Sequence, residues 1–171
     1  MKEQKLNSPL VQKLISKGFY QYSDILEDFN LEKFIESISD LFAPFFSKEY
    51  IKENLSIPDE YIQFLKSIGG SLHNGWDYFH GERLVISDTR HWLDLYGEDF
   101  KEMETTENVL RLHISIASQG DKQVILLNCD KSSKGVHTYY WFEDAHPWDG
   151  YSEGNSDWNS LEAFLIDDYK I

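Results

Sequence analysis

Residues 1–70 carry apolar side chains at the i, i+3, i+4 and i+7 spacing that is typical of amphipathic helices. One such set follows Pro9 and stops at Gly18, and it predicts a short helix: Leu10, Val11, Leu14 and Ile15. A longer set predicts a helix that ends before Pro44, whose ring cannot continue it: Leu31, Phe34, Ile35, Ile38, Leu41 and Phe42. We expect residues 1–30 to form an N-terminal extension and residues 31–171 to form the main domain.

A third helix is predicted from Pro58 to Ile68, and the sequence marks both of its ends. Pro58 suits the first helical turn, while Asp59 and Glu60 place negative charge beside the unpaired N–H groups there. The apolar stripe of this helix consists of Tyr61, Ile62, Phe64, Leu65 and Ile68. The pair Gly69-Gly70 then supplies a residue that can adopt a positive φ and end the helix.

After residue 70 the pattern changes to that of strands. Apolar and polar residues alternate from Arg111 to Ile116, which predicts a half-buried strand. By contrast, Val124–Leu127 is continuously apolar and predicts a central strand covered on both faces. Further strands are predicted at Leu84–Ile86 and Val136–Phe142, and the spacing of the later strands indicates an antiparallel meander.

The chain closes with a predicted helix, because Asn159 and Glu162 resemble a capping box and an apolar stripe follows: Leu161, Phe164 and Leu165. Helices thus group at the ends of a strand-rich region. This order favours an α+β fold, with a mostly antiparallel sheet of about four to six strands packed with N-terminal and C-terminal helices.

Charge argues against a direct nucleic-acid ligand. The chain has 30 acidic and 16 basic residues and a formal net charge of −14, so its field would repel a phosphate backbone. The acid is concentrated, since Glu143 to Asp168 contains eight acidic residues and no Lys or Arg. Such a region would steer a basic protein toward this one. The alternative is that acidic loops only maintain solubility.

The sequence also predicts a cellular location. Cys129 is the single cysteine and cannot form an internal disulfide, and no apolar signal segment follows Met1. No apolar run approaches the roughly 20 residues that span a bilayer. We therefore expect a cytoplasmic protein that does not contact a membrane.

No constellation in the sequence demands a reaction. The six histidines include no helical pair with metal-ligand spacing, and Cys129 has no partner cysteine. A glycine-rich phosphate loop is also missing. We therefore expect no enzyme activity, no catalytic residue, no metal site and no cofactor.

Aromatic and acidic residues together predict a protein-binding surface, because Trp and Tyr are enriched at interface hot spots and carboxylates pair with Lys or Arg. The candidates come from three segments: Trp76, Asp77 and Tyr78; Glu98 and Asp99; and Glu143, Asp144, Trp148, Asp149 and Tyr151. The first segment could instead be a lid on the core, or part of one groove shared with the third. Trp141 and Trp148 could instead complete the core.

The stretch Ile57-Pro58-Asp59-Glu60-Tyr61, with Phe64-Leu65 and Gly69-Gly70, resembles the hallmark helix of the SUKH superfamily. Later stretches agree with that superfamily in the same order: Ile114 to Ala117, Gln119-Gly120-Asp121, Val124 to Asn128, Gly135-Val136-His137, and Ser160 to Leu165. The superfamily includes Smi/Knr-type cell-wall regulators and many bacterial immunity proteins, and the resemblance covers about residues 31–168.

The resemblance implies binding rather than catalysis. It implies an immunity protein that neutralises a cognate polymorphic toxin, and the acidic charge suits a basic nuclease domain as partner. The alternative is a scaffold or regulatory adaptor in cell-envelope or signalling work. The toxin's identity and the oligomeric state stay open at this point.

Overall fold

The computed structural model describes residues 9–18, 20–21, 29–68, 71–73, 77–102, 111–119, 123–143 and 156–169. Within that part of the chain the helices are α1 (Pro9–Ser16), α2 (Leu31–Phe42), α3 (Lys48–Asn54), α4 (Asp59–Ile68), α5 (Glu82–Glu102) and α6 (Leu161–Tyr169). The strands are β1 (Tyr20–Gln21), β2 (Ser71–His73), β3 (Asp77–Phe79), β4 (His113–Gln119), β5 (Gln123–Asn128) and β6 (Tyr139–Glu143). The predicted α+β fold is confirmed.

The described strands form one sheet in the order β1-β2-β3-β4-β5-β6, and every neighbouring pair is antiparallel. Each strand therefore pairs with the next along the chain, as the predicted meander requires. β5 lies between β4 and β6, and its residues Ile125, Leu126 and Leu127 are each at most 1% exposed. The prediction of a central strand covered on both faces is confirmed.

Helices cover both faces of the sheet. On one face Phe79 of β3 packs edge-on against Phe64 of α4 and Phe164 of α6, and Tyr139 of β6 stacks on Phe164. The next residue, Tyr140, points to the other face, because successive strand residues alternate. That face is covered by α5, as the following contacts show.

The strand predicted at Leu84–Ile86 is wrong, since these residues lie in the first turns of α5. A short apolar run rich in β-branched residues is compatible with either a strand or a buried helix. The longer pattern decides the outcome, because the buried residues of α5 follow helical spacing: Val85, Thr89, Trp92, Leu93 and Gly97. α5 crosses the sheet and is its main cover on that face.

Because α5 is present, the half-buried alternation predicted for β4 is also wrong. The apolar residues Ile114 and Ile116 are buried, and so are His113 and Ser115 on the other face. His113 packs against the ring of Trp92, and the backbone N–H of Ser115 donates to Thr89 Oγ1 at 2.9 Å. Polar residues in a strand therefore face a helix here rather than water.

The other predicted helices are confirmed, with small corrections at their ends. Gly18 follows α1 with φ of 89°, as a helix stop requires. Pro58 precedes α4, and its carbonyl accepts the N–H groups of Tyr61 and Ile62. At α6 the capping residue is Ser160, whose Oγ accepts the N–H of Ala163 at 3.0 Å, and not Asn159. α3 was not predicted.

β6 begins at Tyr139 rather than at Val136, because residues 131–137 form turns. His137 has a φ of 62°, and its ring Nε2 lies 3.0 Å from the backbone oxygen of Ser56. Before residue 30, Leu14 is fully buried and β1 pairs with β2. The division of the chain at residue 30 stays a prediction.

Candidate interaction surface

The strand register aligns the ends of four strands in one row. Asp77 of β3 pairs with Gln119 of β4, Gln119 pairs with Gln123 of β5, and Gln123 pairs with Glu143 of β6. Since neighbouring strands lie about 4.8 Å apart, Asp77 and Glu143 are separated by about 14 Å. We call this end of the sheet, defined by these four residues, the loop edge.

Three connecting segments begin or end at the loop edge. Residues 74–76 lead into Asp77, residues 120–122 join Gln119 to Gln123, and residues 144–155 follow Glu143. Two of the three predicted aromatic and acidic segments therefore each contribute one residue to this row, Asp77 from the first and Glu143 from the third. The groove that the two segments would share stays a prediction, because residues 74–76 and 144–155 lie outside the described residues.

The third predicted segment reaches the same end of the sheet through α5. The ring of Tyr96 lies 5.3 Å from that of Phe142, the residue before Glu143, and Trp92 lies 5.9 Å from the same ring. Glu98 follows Tyr96 by two residues and is exposed, and Asp99 comes next on the helix. We call the turn of α5 that carries Glu98 and Asp99 the acidic turn, and it thus lies beside the end of β6.

The structure places some of the predicted interface residues and leaves others outside its described part. Asp77, Tyr78 and Glu143 lie in strands, and Glu98 and Asp99 lie in α5. The remaining predicted residues lie outside the described residues: Trp76, Asp144, Trp148, Asp149 and Tyr151. Trp141 is half-buried and packs against the core, as its core interpretation predicts.

A buried polar cluster that the sequence did not reveal joins α5 to the sheet. Asp88 Oδ2 accepts from Ser115 Oγ at 2.5 Å and lies 3.1 Å from Nε2 of His80, a side chain only 5% exposed. Burial raises the pKa of Asp88, but the hydrogen bonds from His80 and Ser115 and the charges of His80 and His91 outweigh it, so this pKa is lowered.

This cluster contains Ser, His and Asp but is not arranged as a nucleophilic triad. In a triad the histidine lies between the serine and the carboxylate and takes the serine proton. Here Asp88 lies between Ser115 and His80, so the serine donates to the carboxylate. The arrangement fixes α5 on β4 and on His80, the residue that follows β3. In this way it helps to position the acidic turn of α5, which carries Glu98 on the same helix.

The opposite end of the sheet is held by a second polar cluster, around the buried Asp130. Its carboxylate accepts from Tyr50 Oη at 2.8 Å and from the backbone N–H and Oγ of Ser132 at 2.9 and 2.7 Å. Lys131 N–H donates to the carbonyl of Asn54 at 2.9 Å. The loop after β5 is thereby attached to α3, at the end of the sheet opposite the loop edge.

The pKa of Tyr50 is raised in this cluster. Partial burial is the main cause and Asp130 adds to it, while the hydrogen bond with Ser132 acts in the opposite direction. Both oxygens of the Asp130 carboxylate accept hydrogen bonds from protein groups, so the cluster satisfies this buried carboxylate without a ligand. We interpret it as structural.

Within the described residues, no group of three or more His, Cys, Asp or Glu side chains could hold a metal ion. No helix in the described part of the chain is long and apolar enough to cross a membrane. Cys129 is fully buried, and burial raises the pKa of its thiol.

Comparison with known proteins identifies the family. The family model of the SMI1 / KNR4 family (SUKH-1) matches residues 46–167, which is more than half of the chain. The chain belongs to this family, and the resemblance seen in the sequence is confirmed. No curated protein and no solved structure gave a significant match. Membership is consistent with toxin immunity or with Smi1/Knr4-type roles, and it suggests a protein partner such as a toxin.

Proposed function

We propose that this chain is an immunity-type protein of the cytoplasm that binds and neutralises a cognate polymorphic toxin, a basic nuclease domain. In this proposal it catalyses no reaction and needs no cofactor. The observation that supports the proposal is the register of the loop edge. It places Asp77 and Glu143, which adjoin residues 74–76 and 144–155 in the sequence, in one row. Tyr96 of α5 packs on Phe142 at the end of β6, so the acidic turn of α5 lies beside that row.

The proposed mode of action is occlusion. Carboxylates around the loop edge attract a basic surface over long range, which raises the association rate more than the affinity. Aromatic side chains among them, Trp76, Trp148 and Tyr151, supply the desolvated contacts that slow dissociation. Since nuclease domains bind phosphate through Lys and Arg, an acidic partner on that surface excludes the nucleic acid.

The test is rescue of a toxic neighbour. The reading frames that flank this one are sequenced, and the C-terminal domain of the neighbouring product is expressed alone and together with this chain. Restored growth and a co-purifying complex are expected. Persistent toxicity despite good expression of this chain, or the lack of a toxic neighbour, would contradict the proposal.

The family is also consistent with Smi1/Knr4-type roles, so a scaffold or regulatory adaptor is the alternative. An adaptor would bind several endogenous proteins, none of them toxic. Affinity purification from the source cells separates the two functions, because an immunity protein retains one dominant partner.

A further inference from the structure

A groove lies between α2 and α3, outside the loop edge. It has a volume of about 450 Å³, which is within the range of natural ligand pockets. Ile35, Ile51 and Leu55 supply apolar lining, and Ile35 is 39% exposed although it is a large aliphatic side chain. The groove is therefore an apolar surface that water contacts in the free protein.

The α3 wall of the groove is basic. Lys48 and Lys52 line it, and at i and i+4 they lie on one face of the helix. Both are exposed, and within the described part of the chain neither forms an ion pair. Glu49 and Glu53 of the same helix lie outside the groove lining, so the charges on the α3 wall are those of Lys48 and Lys52. Beside an apolar floor, this wall is complementary to a ligand that carries carboxylates.

Other basic residues lie at the same end of the molecule. Lys131 is exposed, and its N–H donates to the last residue of α3. Arg111 lies close enough to Tyr50 of α3 for its charge to lower the pKa of that side chain. α3 is attached to the loop after β5, whereas the loop edge lies at the start of that strand. The lysines of the groove wall therefore lie at the opposite end of the sheet from the loop edge.

We propose that the groove binds an acidic and apolar segment of a partner protein, at a site separate from the loop edge. An apolar side chain of that segment packs on Ile35, Ile51 and Leu55, and its carboxylates pair with Lys48 and Lys52. Asp40 on the opposite wall repels carboxylates and accepts donors, so it fixes the side on which the acidic face lies. The mode is that of an amphipathic segment in a groove between helices.

The test uses the full chain and a displayed library of random peptides of about 12 residues, which span about 18 Å as a helix. The enriched peptides are then synthesised, and their affinities are measured for the wild type and three variants. Lys48→Glu with Lys52→Glu reverses the basic wall, and Ile35→Asp makes the floor polar. Arg83→Glu with Arg90→Glu is the matched control, since both arginines are exposed on α5 and lie outside the groove lining.

The expected peptides carry Asp or Glu beside aliphatic residues. Their affinity falls about tenfold or more in the lysine double variant and in Ile35→Asp, and changes less than about twofold in the arginine control. Added salt should weaken binding to the wild type. The neutral variant Lys48→Gln with Lys52→Gln should give an intermediate loss, which separates loss of attraction from damage to the fold.

Three results would overturn the proposal. The first is that no peptide is enriched, or that the enriched peptides bind the lysine variant as well as the wild type. The second is enrichment of basic peptides, which would point to the loop edge instead. The third is concentration-dependent self-association of the chain that the lysine variant abolishes, since a second copy would then be the occupant.

Discussion

Replacing Asp88 by Asn is expected to destabilise the protein, and to do so less in acid than at neutral pH. The carboxylate accepts a hydrogen bond from Ser115 Oγ and lies within hydrogen-bond distance of His80 Nε2. Hydrogen bonds to a charged group are worth about 1.5–3 kcal/mol each when fully buried. The Asp88 side chain is 28% exposed and an amide can still accept one bond, so we expect a total loss of about 1–3 kcal/mol at pH 7.

The pH dependence follows from the lowered pKa of Asp88. A carboxyl group whose pKa is lower in the folded state stabilises the protein above the unfolded pKa, which is about 3.9 for Asp. That stabilisation is lost as pH falls through the folded value. The difference in unfolding free energy between wild type and Asp88→Asn should therefore shrink below about pH 4.

Urea unfolding measures this difference at about pH 7 and about pH 3, which avoids the sequence isoelectric point near 4.7 where solubility is lowest. Asp94→Asn is the matched control, because Asp94 is exposed on the same helix, and it should change stability by less than about 0.5 kcal/mol. The cost of Ser115→Ala should be smaller in the Asp88→Asn background. A loss under about 0.5 kcal/mol for Asp88→Asn, or a difference that does not change with pH, would refute the reasoning.

Three further substitutions or treatments test individual contacts. Cys129 should not react with a thiol reagent until the protein is unfolded, because it is buried and its thiol pKa is raised; rapid modification under native conditions would contradict its placement. Gly97→Ala should raise the free energy of unfolding by less than the roughly 1 kcal/mol expected from helix propensity, because the new Cβ would lie 2.7 Å from two ring atoms of Phe45. A double-mutant cycle with Phe45→Ala, measured by unfolding, should show a coupling energy of about 1 kcal/mol. Additive effects of the two substitutions would refute the clash. Ser160→Ala should cost about 1 kcal/mol in the same assay by removing the cap of α6, and no loss would mean that the cap is not formed.

The sequence predicted the elements whose signals are local. The helix stripes of α1, α2 and α4 and the continuous apolar run of β5 each specify one kind of element within a few residues. The run Leu84–Ile86 was misassigned because three apolar residues fit both periods. The wider set Val85, Thr89, Trp92 and Leu93 has helical spacing, but the charged residues between its members resemble a loop.

The polar residues of β4 could not be interpreted from their own segment. Alternation of apolar and polar side chains predicts one solvent-exposed face, and only the presence of α5 buries that second face of β4. Asp88 and Thr89, which hydrogen-bond to Ser115, precede it by more than 20 residues. Long-range contacts of this kind follow from topology, which the local pattern does not determine.

The candidate surface was predicted as three separate segments, and their composition alone identified them. What the sequence could not show is that Asp77 and Glu143 occupy one row, since that depends on the register of three strand pairs. The groove between α2 and α3 was missed because α3 was not predicted. In the sequence, the aliphatic residues of its floor, Ile35, Ile51 and Leu55, cannot be distinguished from residues of the hydrophobic core.

The most direct test of the central claim is the association rate constant with the neighbouring toxin domain, measured by stopped-flow fluorescence at low salt. Asp144→Lys with Asp149→Lys reverses two charges after the loop edge, and Glu49→Lys with Glu53→Lys makes the same charge change on α3, at the far end of the sheet. The account predicts that the first pair slows association about tenfold, and that the control slows it less than about twofold. Equal rates for the two pairs would contradict the claim that the loop edge is the binding surface.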